Sequence, residues 1–424
     1  MSIFKDIIRY TSCILTYTVY IITIYYLCVS FFGIVRKKSS GEVEPKRSFA
    51  LIIAAHNEEI VIEDIIESLK DLDYPKKLYD IFVIADNCTD KTALKARKKG
   101  AFVYERNSVG RRGKGYALEW MFNKIFKMKK KYDDIAIFDA DNIVDKNFLK
   151  EMNKKLHQGY KVVQGYLDSK NPNDTWITGS YSIAFWSNNR MFQLARSNLG
   201  LSAQLGGTGF AVDTDILKKL GWGATCLTED LEFTCKLILH GYKVGWAHDA
   251  VVYDEKPLTL LQSWDQRKRW MQGFTDVSSR YFFKLVKKSI KNCNFLLMDC
   301  ALYSIQPIIA VLIGFSAISG GVQQIMKAFN LISNFNTVVY SINFNLLTVL
   351  MILFSILQFV YTPFVLILEK KLDFKIFIYY IFYPIYAITW FPISLLGIIS
   401  KNNKEWHHTI HSRSIKIKDL EKAN

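Results

Sequence analysis

The chain has 424 residues, half of them hydrophobic, and a formal net charge of +16. That is more apolar material than one small domain needs, so a soluble domain accompanied by membrane tracts is expected. Seven cysteines without a CxxC pair speak against a zinc or disulfide framework and fit a reduced cytosolic compartment. The positive charge collects in runs such as Arg36–Lys38 and Lys127–Lys131, which suit a Lys-rich soluble face or an anionic membrane surface. No aromatic-basic RNA motif accompanies it, so no nucleic-acid partner is expected.

In chain order, the first element is an apolar tract, Thr11–Val35, closed by Arg36, Lys37 and Lys38. It is too long for a signal-peptide core and is expected to be a retained anchor with its basic flank in the cytoplasm. From Pro45 to about Asp254 strands and helices alternate. SFALIIAA, YDIFVIAD, AFVYER and IAIFDAD read as strands. EIVIEDIIESLKDL, DKTALKARKKG and GYALEWMFNKIF read as helices, with Gly100 stopping the second. The alternation predicts an α/β domain with a mostly parallel sheet and helices on both faces, its ligands at the C-terminal strand ends. Three more apolar tracts follow: Cys300–Ser319, Ser341–Leu368 and Phe374–Ser400, each long enough to cross a bilayer. Three crossings would put the basic tail outside, against the positive-inside rule. Phe374–Ser400, which contains Pro384 and Pro392, is therefore expected to be re-entrant or interfacial.

The strand ends carry the chemistry. ALIIAA runs into His56, Asn57, Glu58 and Glu59, IFVIAD into Asp86, Asn87 and Asp90, and IAIFDAD into Asp139 and Asp141. Two carboxylates two residues apart on extended chain point the same way and favour a hard cation such as Mg²⁺ or Mn²⁺, or they are a polar turn. Asp90 and Asp145 read as helix caps. GRRGKGYAL fails the P-loop pattern, yet Arg111, Arg112 and Lys114 precede a helix whose N-terminus favours anions. QLGGTGFAV concentrates Gly206, Gly207 and Gly209 around Thr208, which permits close approach of a ligand or a tight turn. In CLTEDLEF, Thr228 reads as an N-cap with Glu229 and Asp230 in the first turn. SWDQRKRWMQG sets Gln266, Arg269 and Trp270 on one helical face. The run from Trp264 to Lys288, with Arg267 among its cations, also reads as a helix lying on the membrane, anchored by Trp264 and Trp270.

The ordered set HNEE, ADNCTD, RRGKGYAL, DADN, GGTGF, TEDLE and QRKRW resembles the membrane-bound family 2 glycosyltransferases, which include cellulose, hyaluronan and poly-N-acetylglucosamine synthases. SKNPNDTWIT and RSNLGLSAQLGGTGF look most like the methanolan-type exopolysaccharide branch. The resemblance spans about Phe49–Gly273 and implies a GT-A (Rossmann-like) fold and a nucleotide-sugar donor, expected to be UDP-linked. It implies that Ala55, His56, Asn57, Glu58, Asp86, Lys114 and Asp139 bind the nucleotide. Asp139 and Asp141 would hold a divalent metal, Mg or Mn. Asp230 would be the general base, with Glu229, Gln266, Arg269 and Trp270 at the catalytic centre and Gly206, Gly207 and Thr208 on the acceptor side. Ala85 stands where many relatives carry a second acid before Asp86, and no FxVTxK-like segment follows QRKRW.

The implied organisation is a membrane anchor and basic flank over 1–44, a GT-A catalytic domain over 45–255 and amphipathic interface helices with QxxRW over 256–292. A transmembrane region over 293–400 and a basic tail over 401–424 complete it. The expected activity is inverting transfer to a polysaccharide or glycan acceptor at the cytoplasmic membrane face, in exopolysaccharide or cell-surface glycan synthesis. A lipid acceptor given one sugar is the alternative, and an inactive nucleotide-sugar-sensing scaffold the alternative of another class. The expected partners are the donor, a glycan or lipid-linked acceptor and membrane lipids, with room for export or polymerisation partners.

Overall fold

The structure is a computed structural model, and it describes residues 2–36, 41–223, 226–333, 357, 359–403 and 413–415. Its centre is an eight-stranded sheet in the order β3-β2-β1-β4-β7-β6-β8-β5. The strands are β1 (Phe49–Ala55), β2 (Tyr79–Asp86), β3 (Phe102–Arg106), β4 (Asp134–Asp139), β5 (Ile143–Val144), β6 (Val162–Ser169), β7 (Phe210–Asp213) and β8 (Val244–Asp254). Strands β1 to β4 pair in parallel, as the alternation predicts. The departures are β7, which runs antiparallel between β4 and β6, and the two-residue β5, antiparallel to β8 at the edge.

The apolar run of β1 serves two cores because successive side chains point to opposite faces. Ala50 and Ile52 pack with Ile84, Leu118, Met121 and Ile137 on one side. Leu51 and Ile53 pack with Ile65, Ile66, Val83 and Phe138 on the other. Register then fixes the site: Ala55 pairs with Ala85, and Ala54 with Asp139. The acid-bearing ends of three strands therefore come out at one edge.

Helices α1 (Ser2–Phe31), α2 (Ile62–Lys70), α3 (Thr92–Lys98), α4 (Lys114–Lys127), α5 (Phe148–His157) and α6 (Trp176–Asn188) lead to a π-helical turn at Asn189–Leu194. Then come α7 (Ala195–Asn198), α8 (Thr214–Leu220), α9 (Glu229–Leu239) and the long α10 (Leu260–Asn292). The C-terminal helices are α11 (Phe295–Ser304), α12 (Gln306–Ser333), α13 (Phe359–Leu368), α14 (Phe374–Ile388) and α15 (Trp390–Ile399). The expected caps are displaced: Lys91 and Asn147 hold the cap positions of α3 and α5, while Asp90 accepts from Thr92 N at 3.0 Å and Asp145 from Asn147 N at 2.8 Å in the turns just before them.

Phe374–Ile399 is the one stretch among the described residues long and apolar enough to cross a bilayer by itself. The expectation of a re-entrant break there is not met. Pro392 falls in the first turn of α15, where its missing N–H has no partner to lose. The sharp bend, 65°, instead separates α11 from α12, immediately before Pro307. Most of Ser341–Leu368 lies outside the described residues, as do Lys37 and Lys38.

Two buried ion pairs join these helices to the sheet domain. Arg190 donates to the carbonyls of Gly33 at 2.7 Å and Ile34 at 2.8 Å, and to Glu369 at 2.7 Å. Tyr166 on β6 also donates to Glu369 at 2.8 Å. Arg196 pairs with Asp299 of α11, which also accepts from Tyr25 of α1. The tail returns to the same domain: Arg413 N donates to Glu255 at 3.3 Å and its guanidinium pairs with Asp174. The six described cysteine thiols are free.

Candidate active site

One cavity of about 1310 Å³ opens at the acid-bearing sheet edge. At its first end β1 and β2 supply His56 and Asp86. His56 Nδ1 donates to the Asp86 carbonyl at 2.7 Å. Burial pushes the Asp86 carboxyl up despite its pairing with Arg106. Ala55, His56, Glu58 and Asp86 all line the cavity. Asn57 does not belong with them. Its backbone turns to φ +55° and its amide oxygen accepts from Thr89 N at 2.8 Å, so its work is to shape the turn.

In the middle, Asp139 and Asp141 face the cavity from the end of β4. Asp139 pairs with Lys114, whose ammonium also reaches Gly207 O at 2.8 Å. Burial opposes the lysine's charge, but Asp139 and then Glu229 outweigh it and raise the pKa. Asp141 is buried and accepts from Glu255 N at 3.0 Å. Asp254 is a third carboxylate there. Its pKa is pushed up to about 6 by burial, opposed by Lys256, and raised further by Asp141 and Asp139. No cage of three or more His, Cys, Asp or Glu ligands occurs among the described residues. Clustered carboxylate oxygens without a cage suit a hard cation that takes its other ligands from phosphate and water, so the residues fit Mg²⁺ or Mn²⁺.

The glycine loop is pinned from β6. Fully buried Gln164 accepts from Gly206 N at 2.9 Å and donates to Thr208 O at 2.9 Å. Gly207 has φ +82°, and a side chain there would stand 3.6 Å from Asp230 Oδ2. Thr208 Oγ1 accepts from Asp139 N at 3.0 Å, which ties the loop to β4.

The far wall is α9 and α10. Glu229 and Asp230 begin α9, and both carboxyls are raised above their ordinary range. Burial comes first for each; Asp230 adds to it for Glu229, and Asp139 adds to it for Asp230. Thr228 occupies the cap position, but its side chain makes no capping bond. It is taken up in packing against α10, where a Cβ on Gly273 would fall 2.5 Å from Thr228 Oγ1. Gln266, Arg269 and Trp270 all line the cavity. Gln266 accepts from Tyr181, and Trp270 lies edge-on to Tyr181 at 6.0 Å. Burial lowers the Arg269 pKa, with Glu229 and Asp139 opposing it.

Two expectations for α10 are corrected. Arg267 is no surface cation: it is buried, 4.1 Å from the Tyr386 ring, and donates to Thr389 at 2.8 Å. Trp270 is turned into the cavity and is no interfacial anchor. Arg106, Gln164, Asp254 and Gly273 join the site without having stood out in the sequence. Of these, Gly273 carried a signal, a helix-interior glycine three residues after the Arg269–Trp270 pair.

The sheet order, with its antiparallel β7 and its acids at the strand ends, defines a GT-A (Rossmann-like) fold. The same fold occurs in the mannosyltransferase PcManGT from Pyrobaculum calidifontis, solved with GDP-Man and Mn²⁺. The TM-score is 0.59 at 15% identity, covering 92% of this chain and 97% of that one, a likeness of fold alone. Residues 45–273 match the family described as Glycosyltransferase like family 2, and the chain belongs to that family. It is 30% identical over 243 residues to a beta-monoglucosyldiacylglycerol synthase of Synechocystis sp., covering 54% of this chain and 48% of the relative. It is 28% identical over 256 residues to a poly-beta-1,6-N-acetyl-D-glucosamine synthase of Staphylococcus aureus, covering 59% and 60%. The chain thus spans less than two thirds of either curated relative.

Proposed function

We propose that this chain transfers a sugar, with inversion, from a nucleotide sugar of the UDP class to a hydroxyl acceptor at the cytoplasmic membrane face. The observation that carries the reading is that Asp86, Asp139, Lys114, Asp230 and Arg269 line one continuous cavity. Asp86 with His56 would seat the nucleoside. Asp139 and Asp141 would hold a divalent cation, which when bound supplies charge neutralisation on the diphosphate. Lys114 and Arg269 would stabilise charge on the departing diphosphate. Asp230 would take the acceptor proton; its raised pKa brings its basicity toward neutral pH, where a general base works best.

The family's relatives include a glycolipid synthase and a polymer synthase by name, so both acceptor classes stand as readings. The tail's contact with Glu255 and Asp174 supports an even number of crossings between Gly273 and Arg413, with anchor end, catalytic domain and tail on one face. The test is a panel of UDP-sugars with the purified chain in detergent and Mn²⁺, reading UDP release and product mass. A donor-specific release with a glycosylated product is expected. UDP that neither binds nor is released from any donor would overturn the reading.

A further inference from the structure

The cavity continues past Asp230. Away from Asp86 it runs between the π-helical turn, α10, α12 and α15, where Phe192, Phe274, Tyr303, Gln306, Ala310 and Trp390 line it. Its volume, about 1310 Å³, exceeds the roughly 300–1,000 Å³ of a pocket for one small ligand. A second ligand has room beside the donor.

Two features define that ligand. The first is the location of this arm. Tyr303 and Gln306 flank the 65° bend between α11 and α12. The outer faces of the same helices are apolar and exposed, with Ile308, Ile313 and Phe315 on α12 and Leu396 and Ile399 on α15. The arm is thus walled by helices whose other faces suit hydrocarbon. The second feature is charge. The cationic lining belongs to the donor half: Arg112, Lys114 and Arg269. Beyond Asp230 the described lining residues are neutral. Arg196 lies behind Phe192, 3.3 Å from its ring, and is held by Asp299. A phosphate head brought into this arm would lose its hydration without a counter-charge and would face Glu229 and Asp230. An uncharged hydroxyl head would give up only hydrogen bonds, which the lining residues Tyr303, through its hydroxyl, and Gln306, through its amide oxygen, can return; the Gln306 nitrogen already donates to Tyr26 at 3.4 Å.

We infer that this arm binds the acceptor, and that the acceptor is a membrane lipid with an uncharged, hydroxylated head, of the diacylglycerol class. The inference rests on the transferase reading above. In the step, the lipid O–H bond breaks and its proton passes to Asp230. The lipid oxygen forms the new bond to the anomeric carbon as the bond from that carbon to the diphosphate breaks. The electron pair leaves on the diphosphate.

The test uses the full chain in phosphatidylcholine nanodiscs with UDP-glucose, UDP-galactose and UDP-N-acetylglucosamine in turn and Mn²⁺. The acceptors offered are dioleoylglycerol, undecaprenyl phosphate and a soluble cello-oligosaccharide. Glycosylated dioleoylglycerol is expected as the main product. Ala310→Trp, which fills the arm, should lower that transfer about tenfold or more, chiefly through KM, while calorimetric UDP–Mn²⁺ affinity is kept. Preferred transfer to undecaprenyl phosphate or to the soluble oligosaccharide would overturn the inference and leave the transferase reading standing. So would a folded Ala310→Trp chain with unchanged lipid transfer. Absence of UDP binding in the unaltered chain would overturn both. The acceptor panel on the unaltered chain decides the question even if Ala310→Trp does not fold.

Discussion

Asp230→Asn separates a catalytic acid from a helix-start residue, because the two roles predict opposite changes in stability. The side chain accepts from Leu231 N at 2.8 Å through Oδ1, a bond an asparagine oxygen can keep. What is lost is the charge. Burial raises the Asp230 carboxyl first of all, and the Asp139 charge adds to it, while the Leu231 amide and Lys114 pull the other way. A carboxyl raised in the folded state contributes stability at low pH, and that contribution is lost as pH rises through the folded pKa. The asparagine variant should therefore be the more stable one at pH 8 and gain nothing near pH 4.

A tenfold change in the acidity of a carboxyl on folding corresponds to about 1.36 kcal/mol. Solvent reaches this half-buried group, so the expected gain is on the order of 1 kcal/mol. Transfer should fall by roughly 10²–10⁴-fold, the usual contribution of a general base. Calorimetric UDP affinity with Mn²⁺ should hold. The assays are thermal melting at the two pH values, UDP-release kinetics and calorimetry. A variant that is active, or less stable than the parent at pH 8, would show that the carboxylate is there for the helix dipole and that the base lies elsewhere.

Asp139→Ala and Asp141→Ala should each weaken metal-dependent UDP binding, by about tenfold or more, since the diphosphate loses a carboxylate-held cation; calorimetry with and without Mn²⁺ checks this. Gly273→Ala places a Cβ 2.5 Å from Thr228 Oγ1 and Cγ2. It should cost about 1–3 kcal/mol by overpacking and depress transfer more than UDP affinity, and Thr228→Ala in the same chain should restore part of the loss. Arg190→Met takes the guanidinium away from buried Glu369 and leaves it facing only Tyr166 and His248 among the partners described. A loss of about 3–5 kcal/mol is expected in detergent melting, largely recovered when Glu369→Met is added.

The parts of the fold set by local pattern were legible. Continuous apolar runs marked the central strands, and Asp90 and Asp145 marked turns into helices, one and two residues ahead of the actual caps. The acids at strand ends were legible because a buried strand has no other reason to surface into carboxylates. β7 was not, since FAVD is four residues long and nothing in so short a run reports direction. Arg267 was misread because a cation in an amphipathic run normally meets water or lipid headgroups. Its burial depends on Tyr386 and Thr389, more than a hundred residues away. Gln164 sits in a strand as an ordinary polar residue; only the fold brings the Gly206–Gly209 loop onto its amide. The two prolines of Phe374–Ser400 suggested a break there, whereas Pro307 marks the bend. Pro307 and Pro392 both fall in a first helical turn, where a missing N–H costs little, and Pro384 lies inside α14 without ending it, so proline positions alone do not locate the bend.

The cavity is built by two halves of different origin. The donor end is a sheet edge: β1, β2 and β4 deliver Asp86 and Asp139 by register alone, and a soluble domain could supply them. The catalytic wall is different. Arg269 and Trp270 lie on α10, and α10 is set by the helices that follow it, through Arg267 against Tyr386 and through Gly397, whose hydrogen is all that fits beside Met271. The same helix packs on Thr228 at Gly273, two residues from Asp230. The positions of Asp230 and Arg269 are thus referred to α14 and α15, the stretch apolar enough to lie in a bilayer. If the proposed roles hold, the donor site is fixed by the sheet and the acceptor geometry by the apolar helices α14 and α15, the side from which a lipid hydroxyl would arrive.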